Sequence, residues 1–185
     1  MEITRDEAHQ LLLEYTKSES LIKHALSVEA AMKAYAEKFG EDENKWGITG
    51  LIHDFDYEKY PSAADHPFKG AEILKKLNYP QDLIDAILGH ANYTGVKRET
   101  LLSKTLFAVD ELSGFLFACT YVTPEKKIGS VKVSSVKKKL KDKAFARSVN
   151  RDDIFEGVKE LNVDLDEHID FLIKALSKIS DTLGL

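Results

Sequence analysis

The chain has 185 residues, of which 43% are apolar and 31% charged, and its formal net charge is -5. These values are typical of a soluble globular protein that is long enough to bury a core, and the acidic balance disfavours bulk binding of nucleic acid. The one cysteine, Cys119, excludes an intramolecular disulfide and a zinc–thiolate site.

The first 121 residues are predicted to be almost entirely helical. Thr4 and Glu7 form a capping-box pattern that opens a helix over residues 4–16. Apolar residues at helical spacing over residues 21–39, with Gly40 as a stop signal, predict a second helix. Further helices are predicted over residues 44–54, 66–78, 81–91 and 99–121, with a loop over residues 55–65. The helix over 99–121 is apolar nearly all round, which places it at the centre of a bundle.

Residues 128–136 are the ambiguous stretch. SVKVSSV alternates like a short strand, whereas Ser134 or Ser135 could instead cap a helix over residues 137–148. A helix over residues 150–161 and an amphipathic last helix after residues 164–166 complete the chain. The sequence therefore predicts a single all-α domain over residues 1–185. Its core lies at about 18–122, with the basic segment and C-terminal helices of residues 123–185 packed on it.

Asp110 stands alone in the middle of the apolar helix over 99–121. A carboxylate in such a place costs several kcal/mol unless it is paired with a cation or a metal ion. No basic residue lies three or four positions away, since those positions are Leu106, Phe107, Ser113 and Gly114. Asp110 is therefore a candidate metal ligand, and a salt bridge to a distant lysine or arginine is the alternative.

His53 and Asp54 are adjacent in GLIHDFDY and give a divalent cation one nitrogen and one oxygen from a single turn of backbone. The two residues lie about 100° apart around a helix, so both can reach one ion only near the end of that helix. His24 lies upstream at the edge of an apolar helix face. Alone it would be a satisfied core-edge histidine, but with the pair and Asp110 it becomes a candidate ligand.

The order His24, His53-Asp54, Asp110 resembles that of the HD-domain metal-dependent phosphohydrolase superfamily (HDIG-like predicted hydrolases), over about residues 21–117. The resemblance implies an HD-domain helical bundle with additional C-terminal helices. It also implies that these four residues bind one or two divalent ions of Mn, Fe, Co, Ni or Mg.

His66 and His90 decide whether a second ion is expected. Both lie between the His-Asp pair and Asp110, where two-metal members of the family place additional histidines. With Asp54 as the bridge, two ions could clamp the attacking and departing oxygens of a phosphoester. The alternatives are capping of the following helix for His66 and a contact to the substrate phosphate for His90.

Lysines supply the candidate substrate contacts. Lys104 lies six residues before Asp110, where the family often has a lysine, and it is the first candidate for a phosphate contact. Together with the metal-ligand candidate Asp54, it is a candidate catalytic residue. An exposed lysine near the helix start is the alternative for Lys104. Residues 126–151 contain ten lysines or arginines and one acid, either as a solvated helix face or as a basic lid over an anionic substrate. Lys137 and Lys141 share one helix face and are candidates for substrate binding.

Three other residues have weaker signals. Asp56 and Glu58 follow the His-Asp pair and are candidate general bases, although acidic loop residues are usually solvated. His168 lies outside the pattern and is expected at the surface.

We expect a divalent-metal-dependent phosphohydrolase that acts on a small anionic phosphorylated metabolite, in the first place a nucleotide, by attack of a metal-activated water on phosphorus. The alternatives are a metal-stabilised HD module that binds a nucleotide or a partner with little turnover, and a di-iron HD oxygenase. A cytoplasmic location and no membrane partner are expected, because no apolar run approaches the roughly 20 residues of a membrane span. Nucleic acid is not expected as a partner, and the last helix either closes the core or forms a homodimer.

Overall fold

The computed structural model describes residues 3–185, and these residues are all-α, as the sequence predicts. No strand occurs within them. The helices are α1 (Arg5–Tyr15), α2 (Glu19–Phe39), α3 (Glu43–Ile52), α4 (Phe68–Lys76), α5 (Gln81–Gly89), α6 (Leu101–Tyr121), α7 (Val133–Leu140), α8 (Arg151–Leu161), α9 (Leu165–Ser177) and α10 (Ser180–Leu183). Short 3-10 turns lie at Asn92–Thr94 and Ile128–Ser130.

Local sequence signals fix several helix ends. The Thr4 hydroxyl accepts the backbone N–H of Glu7 at 3.3 Å, and the Glu7 carboxylate accepts the backbone N–H of Thr4 at 2.8 Å, so the predicted capping box is confirmed. Gly40 ends α2 in the left-handed conformation, with φ of 72°. The side chains of Asn150 and Asp164 cap α8 and α9.

Helix α6 lies at the centre of the bundle, as its all-round apolar character predicts. Leu106, Val109 and Phe115 have no exposed surface, and α2, α5, α8 and α9 pack around the helix. Helix α2 packs in turn against α3 and α9. Residues of α2, α3 and α5 are thereby brought close to Asp110 in the middle of α6.

Two glycines let helices approach closely beside the candidate ligands. A Cβ on Gly157 of α8 would lie 2.7 Å from Cα of Ala108 on α6, two residues before Asp110. A Cβ on Gly50 of α3 would lie 2.8 Å from the carbonyl oxygen of Val28 on α2. Real Cβ atoms do not approach so closely, so both crossings require glycine.

The strand alternative for residues 128–136 is wrong, and the helix predicted over 137–148 is displaced. Helix α7 begins at Val133 and ends at Leu140, since Val136 and Leu140, four residues apart, bury one face of it. The chain after α7 is not helical because the Arg151 guanidinium takes up backbone carbonyls there, including those of Ala146 at 3.0 Å and Val149 at 2.9 Å.

The expectation that His168 lies at the surface is wrong, because its side chain is 1% exposed. Its Nε2–H donates to the carbonyl oxygen of Ala108 at 2.9 Å, and the Tyr35 hydroxyl donates to its Nδ1 at 2.5 Å. Burial lowers the pKa of His168 to about 4, so the imidazole is neutral and both bonds are made. The residue ties α9 to α2 and α6.

The C-terminal helices α8 and α9 pack on α6 and α2, which belong to the predicted core over residues 18–122. The assignment of residues 1–185 to one domain stays a prediction. In the described part of the chain, every helix is too short or too polar to cross a membrane.

Candidate metal centre

Six side chains converge beside a cavity of about 550 Å³, and they are the six that the sequence singles out as candidate ligands. His24 lies in α2 and Asp110 in α6, whereas the other four lie at a helix end or just outside one. The full set is His24, His53, Asp54, His66, His90 and Asp110.

The first cluster consists of His24, His53 and Asp110. Nε2 of His24 lies 3.0 Å from Oδ1 of Asp110, and Nε2 of His53 lies 3.3 Å from the same oxygen. Oδ2 of Asp54 lies 3.6 Å from Nε2 of His53 and so faces this cluster. The helix end predicted next to the His-Asp pair makes this geometry possible, since α3 ends at Ile52 and Asp54 follows in a turn.

The second cluster consists of His66 and His90. Their Nε2 atoms lie 3.2 Å and 3.1 Å from Oδ1 of Asp54 and 3.3 Å from each other. Asp54 therefore presents one carboxylate oxygen to each cluster.

Backbone and carboxylate acceptors fix the orientation of three imidazoles. Nδ1–H of His53 donates to the carbonyl oxygen of Gly50 at 2.8 Å, and Nδ1–H of His90 donates to that of Ile87 at 2.5 Å. Nδ1–H of His66 donates to the carboxylate of Asp56 at 2.8 Å. When such an imidazole is neutral, its Nε2 carries a lone pair and no hydrogen. The Nε2 atoms and the carboxylate oxygens that they contact are then all acceptors, with no hydrogen between them.

Asp56 is a positioning residue in this geometry and not an exposed base. It has no exposed surface, and besides His66 it accepts the backbone N–H of Gly70 at 2.8 Å. A Cβ on Gly70 would lie 2.8 Å from the carboxyl carbon of Asp56, so glycine is needed for the contact. Carboxylates that accept the second ring N–H of a metal-binding histidine fix its tautomer and raise its basicity. The other candidate base, Glu58, is exposed and accepts the backbone N–H groups of Lys17 and Ser18.

The donor set fits divalent metal ions. In the described part of the chain, Nε2 of His53 and Oδ1 of Asp54 are buried without any hydrogen-bond partner. Such orphaned acceptors are costly unless a cation satisfies them. Donors about 2.1 Å from one ion lie about 3.0–3.4 Å apart, which is close to the separations within both clusters. Imidazole and carboxylate together suit manganese, iron, cobalt, nickel and, less well, magnesium.

Protonation equilibria show how strongly the site demands positive charge. Burial opposes protonation of His53, but the charges of Asp54 and Asp110 outweigh it and raise its pKa to about 10. Burial opposes protonation of His66 as well, but the neighbouring carboxylates of Asp54 and Asp56 raise its pKa to about 9. Against the effect of burial, the neighbouring imidazoles hold the pKa of Asp110 below its ordinary value. Protons therefore occupy, in the absence of a metal ion, the places where an ion would be held.

The three predicted lysines are not brought to this cavity. Lys104 is half-buried on α6 but is not among the residues that line it. Lys137 pairs with Asp166 on α9 at 2.7 Å, and together with Lys141 it borders a separate surface depression. Helix α7 packs on α9 and α6, and none of the ten lysines and arginines of residues 126–151 is among the residues that line the cavity.

Eight other residues line the cavity. Two of them, Ala91 and Gly114, are small, and the sequence did not single out the six that carry polar side chains: Tyr57, Asn92, Tyr93, Glu111, Asn150 and Asp153. The Tyr93 hydroxyl donates to the carbonyl oxygen of His66 at 2.9 Å and so supports that ligand. Burial and the charge of Asp110 raise the pKa of Glu111 to about 8. Four of the six lie within three residues of a candidate ligand in the sequence, and this closeness could have indicated that they line the cavity. Asn150 and Asp153 carried only a helix-start signal.

Helix α8, which carries Asp153, is held against the cavity by Arg98. The Arg98 guanidinium donates to Glu160 at 2.7 Å and 2.8 Å and to the carbonyl oxygen of Gly89 at 2.8 Å. Asn92 also donates to Asp153 at 2.9 Å. The segment after α5 and helix α8 thus form one wall of the cavity.

Residues 21–114, about half of the chain, match the family model described as HD domain. The chain is 32% identical over 109 residues to a protein named Ribonuclease Y from Lawsonia intracellularis. It is 29% identical over 111 residues to that of Oleidesulfovibrio alaskensis and 31% identical over 109 residues to that of Nitratidesulfovibrio vulgaris.

Each of these matches covers 57% of this chain but 20% of the relative, so the chain spans about a fifth of the length of these curated relatives. No solved structure matches the chain significantly. The family match covers the elements that carry all six converging side chains. The chain belongs to the HD domain family.

Proposed function

We propose that this chain is a divalent-metal-dependent phosphohydrolase with a binuclear site. Its proposed substrate is a small phosphorylated metabolite, with nucleotides as the leading class. The observation that carries the proposal is the pair of clusters that share Asp54 beside an open cavity of about 550 Å³. The first cluster would hold one ion, the second cluster would hold the other, and Asp54 would bind both. Paired ions that share a carboxylate are suited to the in-line displacement of a phosphoester.

Divalent ions at these ligands would supply a water acidified towards neutral pH and positive charge for the phosphoryl oxygens. The chain's own part is to aim Nε2 of three imidazoles inward, because Gly50, Ile87 and Asp56 hold the hydrogen on the Nδ1 atoms of His53, His90 and His66. Two ions carry four positive charges against the three negative charges of Asp54, Asp110 and the buried Asp56. The loaded centre would therefore attract an anionic substrate, although neither lysine nor arginine is among the described residues that line the cavity.

A phosphoester is favoured as the bond that is attacked because the HD-family relatives of the matched region are named ribonucleases. A small nucleotide is proposed in place of RNA. RNA binding depends on many phosphate contacts to basic side chains, whereas the described residues that line the cavity include the acids Glu111 and Asp153 and no lysine or arginine.

A second candidate is a di-iron oxygenase. The same shared carboxylate and histidine-rich donor set also suits two iron ions. An HD module that binds metal and nucleotide with little turnover is the third possibility, and turnover distinguishes it from the first.

The test is a phosphatase screen of nucleotides and sugar phosphates with Mn²⁺ added. It compares the wild-type protein with Asp54→Asn, Asp110→Asn and the control Asp85→Asn, an exposed carboxylate of α5. We expect turnover of one substrate class, a loss of at least about a hundredfold in the two ligand variants, and no change in the control. Retained turnover in Asp54→Asn would contradict the proposal. Bound metal without turnover of any phosphoester would favour the binding module or, with iron and dioxygen consumption, the oxygenase.

A further inference from the structure

We infer that a recess beside the metal cavity binds the planar ring of the substrate, so that nucleotides are preferred over sugar phosphates. The recess has a volume of about 170 Å³ and is lined by Ser20, Lys23, His24, Gly114, Phe117 and Tyr121. The inference rests on the proposed function for the position of the phosphate, and it assigns the part of the substrate that lies beyond that phosphate.

The recess and the metal cavity adjoin, because His24 and Gly114 line both. Gly114 contributes no side chain to the connection, and a Cβ there would lie in van der Waals contact with His24, 3.9 Å from its Nδ1. A ligand with one end at the metal centre can therefore extend into the recess past a candidate metal ligand.

One stripe of α6 leads from the metal centre into the recess. Asp110, Gly114, Phe117 and Tyr121 follow one another at spacings of four, three and four residues, which places them on one face of the helix. The stripe extends about 16 Å from Asp110 to Tyr121. Helical side chains point towards the helix N-terminus, so the two rings lie nearer to Gly114 than their Cα atoms do. A substrate that lies along the stripe would have its phosphate near Asp110, its sugar over Gly114 and its planar group at the two rings.

The wall of the recess suits a flat aromatic group. The rings of Phe117 and Tyr121 have centroids 6.4 Å apart and an interplanar angle of 54°. Tyr121 is 52% exposed, although it is a large and largely apolar residue at the end of a buried helix. Stacking of one nucleobase on an aromatic side chain typically contributes about fivefold to more than a hundredfold in affinity.

The two aromatic residues that line the metal cavity, Tyr57 and Tyr93, already contact the candidate metal ligand His66. Tyr93 donates its hydroxyl hydrogen to the backbone of His66, and the ring of Tyr57 stands edge-on to the His66 imidazole at 5.2 Å and 84°. Phe117 and Tyr121 make no such contact with a metal-ligand candidate among the described residues.

Lys23 adds a positive charge to the recess. Within residues 3–185 it is the one lysine or arginine that lines either of the two adjoining spaces. Its partner Glu19, at 2.7 Å, is 82% exposed, and such a surface pair is weak enough to give way to a ligand. The recess thus combines aromatic surface with a cation, which are the features that recognise a nucleotide.

The experiment measures binding calorimetrically on the Mn²⁺-loaded protein. The probes are phosphonate analogues of the four nucleoside 5′-monophosphates, in which carbon replaces the ester oxygen so that hydrolysis is impossible, and the matching phosphonate of ribose. We expect at least one nucleoside analogue to bind about tenfold more tightly than the ribose analogue. Tyr121→Ala should reduce this preference to below about twofold, whereas Tyr121→Phe should keep it. Phe155→Ala, which removes a similarly exposed ring of α8 outside both spaces, is the matched control and should also keep it.

Equal affinity for the nucleoside and ribose analogues would overturn the inference. A preference for the nucleoside analogue that persists in Tyr121→Ala but is lost in Tyr57→Ala would overturn it as well. If phosphoesters are hydrolysed in either case, the proposed function stands without the recess. A Tyr121-dependent preference in a protein that hydrolyses no phosphoester would support the recess and refute the hydrolase. Binding of none of the analogues would contradict both.

Discussion

Replacing Asp56 by asparagine tests whether this buried carboxylate positions His66 for metal binding. Asp56 has no exposed surface and accepts at 2.8 Å both from Nδ1 of His66 and from the backbone N–H of Gly70. Asparagine has nearly the same size but removes the negative charge and sets an NH₂ group against one of the two donors, so His66 loses its fixed tautomer. Loss of such a partner costs about 10- to 100-fold in metal affinity, or about 1.4–2.7 kcal/mol.

The assay is a titration of the metal-free protein with Mn²⁺ in competition with a chelator. The affinity of the second cluster should fall by that factor, while the affinity of the first cluster changes by less than about threefold. Gly70→Ala perturbs the same carboxylate independently, because its Cβ would lie 2.8 Å from the carboxyl carbon of Asp56. Asp85→Asn, which changes an exposed acid of α5, is the control and should change neither affinity. Wild-type affinities in Asp56→Asn, or an equal loss at both clusters, would refute the positioning role.

Three other predictions concern protons and packing. At pH 7.5 metal binding should release about two protons, because the pKa values of His53 and His66 are raised to about 10 and about 9 and both residues must lose a proton to bind an ion. Calorimetry in buffers of different ionisation enthalpy measures the number of protons released, and a release of none would contradict the prediction. His168 is neutral in the folded state with its pKa lowered to about 4, whereas the unfolded chain takes up its proton near pH 6.5. Protonation of His168 should therefore lower the free energy of unfolding of the metal-free protein by up to about 3 kcal/mol as pH falls from 6.5 to 4, an effect that His168→Gln removes. Urea titrations measure it as the difference between the pH dependences of the two proteins, and the same dependence in both would refute the assignment. Gly157→Ala should destabilise the fold by about 1–3 kcal/mol, because the new Cβ would lie 2.7 Å from the backbone of α6. In Gly129→Ala the nearest atom would be 3.6 Å away, so this control should have little effect. Thermal unfolding measures both, and equal melting temperatures of the two variants would contradict the prediction.

Helices with strong local signals could be predicted from the sequence. The capping box at Thr4, the stop at Gly40 and the apolar helix around Asp110 are all properties of a few neighbouring residues. The end of α7 is not such a property, since it depends on Arg151 reaching back to the carbonyls of the preceding turn. The burial of His168 likewise depends on Tyr35, which is 133 positions away in the chain.

The candidate ligands could be found because their chemistry is unusual where they stand, as for a lone aspartate in an apolar helix. The roles around them could not be found in the same way. Asp56 looks like any acidic loop residue until the fold places Gly70 and His66 against it. Lysine spacing suggested phosphate contacts, but helix packing decides which side of the bundle a lysine faces, and for Lys137 that side is occupied by Asp166.

The most direct test of the binuclear centre is the metal content of the protein by elemental analysis, after loading with Mn²⁺ and removal of free metal. We predict two ions per chain in the wild-type protein, one in His66→Ala and in His90→Ala, and none in Asp54→Asn, since Asp54 faces both clusters. The exposed control Asp85→Asn should retain two. A wild-type protein that retains no metal, or one ion whose retention is unaffected by replacing His66 and His90, would contradict the account.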